Sequence, residues 1–272
     1  MVLINGLLDD KITITDRGLH YGDGLFETML YRAQTIEFLE AHLARLIDGA
    51  RRLNIEFVQQ KQLRDELTRI CQHLAEDDAI IKVIITRGSG GRGYLAMSGI
   101  EPSRIISTHA LPDYPSANSN TGVKLRFCNH TLSENAKLAG IKHLNRLDQV
   151  IARSEWHDPS IAEGLMLDSS GNVIEGTMSN IFTVKSGQIL TPKLDKSGVA
   201  GVMRGQIIQF SLGLNIPVLE TSINVDDLMS SEEVFICNSI IGIWPVLNIG
   251  NMTYSIGHTT QCLQSVLDRL RK

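Results

Sequence analysis

A lysine in an apolar turn can serve as nucleophile or base, because poor solvation lowers its pKa. Lys142 has that setting in the run Leu138-Ala139-Gly140-Ile141-Lys142-His143-Leu144-Asn145-Arg146, just before an expected helix. The competing reading is a surface lysine, and this residue alone does not decide between them. Glu175 opens Glu175-Gly176-Thr177-Met178-Ser179-Asn180, a carboxylate at the end of a short expected strand, followed by hydroxyl and amide side chains. Such a carboxylate can hold a proton on the ring nitrogen of a pyridine-type cofactor, or it can be a turn residue. Further on, Gly198-Val199-Ala200-Gly201-Val202-Met203-Arg204 leads from a glycine-marked loop into an expected helix. The free N–H groups at such a helix start suit a phosphate.

Arg87-Gly88-Ser89-Gly90-Gly91-Arg92-Gly93-Tyr94 satisfies the GxGxxG pattern after an expected strand. A dinucleotide fingerprint must open a helix, whereas Gly99 and Pro102 interrupt the chain before the next strand. The run also lacks the Gly-Lys-Ser/Thr ending of a nucleotide-triphosphate loop. Two readings remain: a substrate clamp, in which Arg92 grips a carboxylate beside Tyr94, or a solvated hairpin tip.

The elements that must position these residues follow from periodicity. Val2-Leu3-Ile4 and Lys11 to Thr15 read as strands joined through Asn5-Gly6, and Leu25 to Tyr31 with Thr35 to Phe38 as a hairpin. Leu39, Leu43, Leu46, Ala50 and Leu53, then Leu63, Leu67, Ile70 and Leu74, recur at helical spacing. Ala79 to Thr86 and Arg104 to Ala110 are strand-like. The polar, turn-rich run 113–120 is read as a linker between an N-terminal domain, 1–112, and a C-terminal domain, 121–272. The second half offers strands at 123–128, 164–167, 173–175, 181–184, 233–237 and 243–247, and helices at 145–157, 202–214 and 259–270. Strands grouped as hairpins, with helices in separate blocks, indicate α+β.

Composition narrows the task. The 272 residues are 43% hydrophobic and 21% charged, with 26 Lys+Arg against 30 Asp+Glu, a net charge of -4. That is an ordinary globular chain without a basic footprint for nucleic acid or an anionic membrane, and a small-molecule substrate is expected. The start lacks the basic and apolar regions of a secretory signal, and no run reaches the length of a membrane span, so a cytoplasmic location is expected. Cys71, Cys128, Cys237 and Cys262 are scattered, which reads as reduced structural thiols. The eight histidines show no ligand spacing, so no metal is expected.

Four ordered motifs together are far more specific than any one. DRG with YGDGLFET at 16–28, AGIKHLNRL at 139–147, EGTMSNIF at 175–182 and GVMR at 201–204 closely resemble the fold-type IV pyridoxal-phosphate enzymes, over essentially the whole chain. That family includes branched-chain and D-amino-acid aminotransferases as well as lyases. The resemblance implies a two-domain α+β fold, with a smaller N-terminal α/β sandwich and a larger, β-rich, barrel-like C-terminal domain.

The resemblance also implies roles. Pyridoxal 5'-phosphate would be linked to Lys142, its ring nitrogen would face Glu175, and Arg45 would bind its phosphate; Arg45 otherwise reads as part of a solvated helix face. Backbone at Val202 and Met203 would complete the phosphate cup with the Ser239 hydroxyl, while Ser179 and Asn180 would line the cofactor. RGSGGRGY, LAGIKHLNRL and the short chain are most similar to the family's lyases, which cleave 4-amino-4-deoxychorismate to 4-aminobenzoate and pyruvate in folate biosynthesis. An aminotransferase on the same scaffold is the alternative. Thr28 matches the lyases' catalytic threonine, whereas Glu27 receives no role. Arg92, with Tyr94, and more weakly Arg146 would meet the substrate carboxylates. A homodimer, with each site between the two domains, is implied as well.

Overall fold

The computed structural model describes residues 1–271, which divide into two compact units. The first unit comprises Met1–Pro112 together with Ile141–Asn145, and the second comprises Asp113–Gly140 and the chain from Arg146 onward.

The first unit runs β1 (Val2–Ile4), β2 (Leu7–Leu8), α1 (Arg17–Tyr21), β3 (Gly24–Arg32), β4 (Thr35–Ile36), α2 (Leu39–Arg52), α3 (Gln60–Leu74), β5 (Ala79–Thr86) and β6 (Ser103–His109). Its strands form one antiparallel sheet in the order β2-β1-β6-β5-β3-β4. Alternation along β3 sends Leu25, Met29 and Tyr31 into a core shared with Leu43 and Leu46 of α2, Leu63, Leu67 and Ile70 of α3, and Ile81, Val83 and Ile85 of β5. Helices covering one face of a sheet give the sandwich expected of this half.

Lys11–Thr15, expected as a strand, forms none. Asn5 and Gly6 both have positive φ, a two-residue turn that sets Leu7 opposite Ile4 and Leu8 opposite Leu3. The Asp9 carboxylate then accepts the N–H groups of Asp10 and Lys11 at 2.8 and 3.1 Å, a local turn that ends the pairing.

The second unit runs α4 (Ala117–Asn120), β7 (Val123–Phe127), α5 (Leu147–Arg153), β8 (Ile161–Leu167), β9 (Val173–Gly176), β10 (Asn180–Lys185), β11 (Gln188–Pro192), α6 (Val202–Gly213), β12 (Val218–Thr221), α7 (Val225–Met229), β13 (Glu233–Asn238), β14 (Gly242–Ile249), β15 (Met252–Thr253) and α8 (His258–Leu270). Its sheet orders β12-β11-β10-β13-β14-β7-β8-β9, with β15 on β14. The end strand β9 also lies against β10 and β11, so the sheet curls on itself around a core that includes Val173, Ile181, Val234, Ile236, Trp244 and Val246. The run 113–120, expected as a linker, carries α4 and belongs to this unit.

The segment Ile141–Asn145 joins the first unit because of how it packs and pairs. Ile141 is buried in that unit's core, a burial that contributes about 1.5–3 kcal/mol. The Phe26 N–H donates to the Lys142 carbonyl and the Leu144 N–H to the Gly24 carbonyl, each at 3.0 Å, and His143 bridges antiparallel to Leu25. The segment thus extends the sheet beside the first half of β3.

Candidate active site

β3 carries chemistry on both faces. On one, Phe26 and Thr28 follow each other at strand period, and the Lys142 Nζ lies 4.2 Å from the centre of the Phe26 ring. Thr28 pairs directly with Lys82 of β5, whose Nζ lies 5.5 Å from the same ring. The first unit therefore brings Lys142, Thr28 and a second cation, Lys82, to one side of one strand. Lys82 was missed in the sequence; the signal is a lone lysine in the apolar run Ala79-Ile80-Ile81-Lys82-Val83-Ile84.

On the other face Glu27, 1% exposed, takes a place in the apolar row between Leu25 and Met29. A carboxylate is tolerated there only if it is paired. His42 and Arg45, one turn apart on α2, converge on it. The His42 Nδ1 lies 2.6 Å from Oε2, and the Arg45 Nε and one terminal nitrogen reach Oε1 and Oε2 at 2.8 and 2.5 Å. Burial alone would raise the Glu27 pKa, but Arg45 and His42 outweigh it and hold the carboxyl below the usual range. Burial likewise pushes His42 below its ordinary value, with Glu27 pulling it up and Arg45 and Lys142 pulling it down. A neutral ring facing an ionised carboxylate donates from Nδ1. Glu27, given no role in the sequence, thus holds Arg45, and the alternative reading of Arg45 as part of a solvated helix face does not hold. A charged residue inside a strand's apolar alternation was the available signal.

In the second unit Glu175 is buried at the end of β9, and its Oε2 accepts the Val199 N–H at 2.8 Å. The Gln149 Nε2 stands 3.4 Å from Oε1. Arg146 lies at the N-cap of α5, and burial pulls its pKa down while the charges of Glu175 and Asp148 pull it up. After Val199 the chain turns into α6 at Gly201, and no side chain caps that helix. A Cβ at Gly201 would lie 2.0 Å from the Asn180 Oδ1, so a larger residue there would have to displace that side-chain amide. The backbone at Val202 and Met203 therefore starts α6 with its amides available to an anion.

Ser179 and Asn180 are buried, and their polar atoms serve the scaffold. The Ser179 hydroxyl donates to the Glu163 Oε2 at 2.8 Å, and the Asn180 Nδ2 donates to the Val199 carbonyl at 2.9 Å. Glu163, fully buried in β8, also accepts from Thr177 and the Met178 N–H, and so shapes the whole turn 176–179. Ser239 sits half-buried in the turn between β13 and β14. Asn238 beside it accepts the Ile240 and Ile241 N–H groups and donates to the Met178 carbonyl. Glu163, Asn238 and Gln149 were not singled out in the sequence, because their partners are distant along the chain.

Arg92 and Tyr94 stand exposed on the loop between β5 and β6, which forms no helix, in keeping with the rejection of a dinucleotide site. The four cysteines are free, and burial pushes the Cys128 thiol up to about 12, so it is no nucleophile at neutral pH. Among the described residues, no group of three or more His, Cys, Asp or Glu side chains could hold a metal ion, and no helix is long and apolar enough to cross a membrane.

The parts present suit a phosphorylated pyridine aldehyde. The first unit holds an amine against an aromatic ring and an arginine oriented by a carboxylate, and the second holds a buried carboxylate and a helix start with no side-chain cap. Amino-transferase class IV matches residues 24–249, and the chain belongs to that family, with its fold-type IV architecture. Over 98% of its length it is 35% identical to the whole of the aminodeoxychorismate lyase of Vibrio harveyi. The crystal structure of 4-amino-4-deoxychorismate lyase from Pseudomonas aeruginosa superposes with a TM-score of 0.96 at 43% identity, covering 100% of both chains. The branched-chain amino acid aminotransferase of Escherichia coli shares the fold at a TM-score of 0.87 and 24% identity, covering 100% of this chain and 94% of its own.

Proposed function

We propose that this chain is a pyridoxal-phosphate-dependent lyase that converts 4-amino-4-deoxychorismate to 4-aminobenzoate and pyruvate, a step of folate biosynthesis. The observation that carries this reading is full-length similarity: the matches at 35% and 43% identity both bear the lyase name. The aminotransferase of Escherichia coli stands at 24%.

When bound, pyridoxal phosphate supplies an electron sink for negative charge developing on the carbon that bears the substrate amine. The Lys142 Nζ would link to it and, once displaced by the substrate amine, take the proton from that carbon. Its contact with the face of the Phe26 ring, 4.2 Å from the ring centre, would fix the position of the Lys142 nitrogen. Glu175, fixed by the Val199 N–H, would keep the ring nitrogen protonated. Arg45, oriented by Glu27, and the α6 amides of Val202 and Met203 are the phosphate ligands of this reading, with Ser239 as hydroxyl donor. Ser179 and Asn180 would line the cofactor while holding the wall behind it.

The Thr28 hydroxyl would pass a proton to the ether oxygen as the enolpyruvyl group leaves, and the ring left behind becomes aromatic. Arg92 and Arg146 would meet the two substrate carboxylates, with Tyr94 beside them. The four free cysteines support a reducing, cytoplasmic setting. Exposed Leu147, Val150 and Ile151 on α5 support assembly into a homodimer. Equimolar release of 4-aminobenzoate and pyruvate by the cofactor-loaded protein is the test.

A further inference from the structure

Two adjacent residues, Asp16 and Arg17, clasp both ends of the loop that carries Arg92. The loop spans 87–102 between β5 and β6. Asp16 is fully buried at the N-cap of α1, where Oδ1 accepts the Gly18 N–H at 2.8 Å. Its Oδ2 accepts the hydroxyls of Thr86 and Ser103, each at 2.8 Å. Thr86 is the last residue of β5 and Ser103 the first of β6, so one carboxylate oxygen ties the two roots of the loop together.

Arg17 holds the tip. Its side chain is 4% exposed; Nε donates to the Asp23 Oδ2 at 3.0 Å, and the two terminal nitrogens donate to the carbonyls of Gly93 and Tyr94 at 2.9 and 3.0 Å. Its guanidinium lies 4.8 Å from the centre of the Tyr21 ring, and that ring meets Tyr94 edge-on at 5.6 Å. Asp23 is shared with Arg87, which is itself fastened to the carbonyls of Leu53 and Asn54. Burial would raise the Asp23 pKa, but Arg87 and Arg17 hold the carboxyl below its ordinary value, so the network stays charged at neutral pH. At the root, Gly88 has φ +96, and a Cβ there would lie 2.0 Å from the Glu101 carbonyl oxygen.

An exposed loop with glycines at 88, 90, 91 and 93 would ordinarily sample many conformations. Here the two residues after Arg92 are fixed through their backbone by a buried guanidinium, while the Arg92 side chain stays in solvent. Charge-assisted bonds of this kind are stronger than those between neutral groups. A side chain presented on an already ordered backbone binds its target without a further ordering penalty.

We propose that Arg17 is a positioning residue for substrate recognition: it fixes the Gly93–Tyr94 backbone so that Arg92 is preorganised to receive a substrate carboxylate. This rests on the reading of Arg92 as the carboxylate partner. It links two motifs, DRG near the start of the chain and RGSGGRGY some 70 residues later, into one device.

The test uses the holoenzyme as wild type, Arg17→Ala, Arg17→Lys, Arg92→Ala and the double variant Arg17→Ala/Arg92→Ala. Arg17→Ala is expected to raise KM for 4-amino-4-deoxychorismate about tenfold, the size of one lost charge-assisted bond, with kcat within about twofold. Arg17→Lys restores only part of this, because an ammonium cannot span two carbonyls and a carboxylate as a fork does. The double variant is expected to be no worse than Arg92→Ala, since coupled residues are non-additive. Trypsin should also cut after Arg92 faster in Arg17→Ala, a readout independent of turnover. Should Arg17→Ala fail to fold, Arg17→Lys carries the same cycle. Multiplying KM effects, or a lower Tm with unchanged KM, would overturn the proposal. An Arg92→Ala enzyme with wild-type KM removes the underlying reading and this proposal with it. Raised KM in Arg92→Ala beside wild-type behaviour of the Arg17 variants removes this proposal alone.

Discussion

The Glu175 carboxylate accepts the Val199 N–H at 2.8 Å, which ties the end of β9 to the loop that starts α6. The bond fixes one carboxylate oxygen of the residue proposed to face the cofactor nitrogen. Glu175→Gln keeps an oxygen for Val199 but removes the charge that holds the ring proton. We expect kcat to fall by about 100-fold or more, with pyridoxal phosphate still retained in its absorption spectrum. Unchanged kcat in this variant would remove Glu175 from the mechanism.

The Glu27, His42 and Arg45 cluster makes the fold acid-sensitive. Burial holds His42 below its ordinary 6.5, so as pH falls through that value the unfolded chain takes up a proton that the folded chain refuses. Stability present above pH 6.5 is therefore lost progressively toward the folded value. Despite burial, Arg45 and His42 hold Glu27 below its ordinary 4.5, which adds a second loss as pH falls further. Thermal melts should show Tm declining below about pH 6.5, with the upper part of that decline absent in His42→Gln. An identical pH profile in the variant would show that His42 is not the titrating group.

Thr28 shares its face of β3 with Phe26, and its hydroxyl is the proton carrier assigned to the departing oxygen. Thr28→Val preserves shape and β-propensity while deleting that hydroxyl. Turnover should drop by about 100-fold at unaltered cofactor affinity, measured by single-turnover kinetics alongside a cofactor titration. Wild-type turnover in Thr28→Val would eliminate the assignment.

Elements whose signal is local were legible in the sequence. The apolar spacing of α2 and α3 and the alternation of β3 and β5 were there to be read, because one buried face imposes a period on each. Lys11–Thr15 was misread because its β-branched residues suit a strand, whereas the Asn5-Gly6 turn had already chosen Leu7 and Leu8 as partners. Short pieces such as α1, β11 and β12 were not anticipated, since two to five residues carry too little periodicity.

At the candidate site, motif order singled out Lys142 and Glu175, but not the groups packed and bonded around them. Val199, Gln149, Glu163 and Arg17 act through partners 14 to 77 residues away, and nothing in their neighbourhoods advertises that. The assignment of Ile141–Asn145 to the first unit has the same cause: one isoleucine finds its core in residues more than thirty positions earlier.

The central claim is tested most directly by mixing the cofactor-loaded protein with 4-amino-4-deoxychorismate and following 4-aminobenzoate and pyruvate together, with Lys142→Ala as control. The account predicts both products in equal amounts from the wild type and neither from the variant. A protein that holds the cofactor through Lys142 yet releases no 4-aminobenzoate would contradict the lyase reading and point to amino-group transfer on the same scaffold.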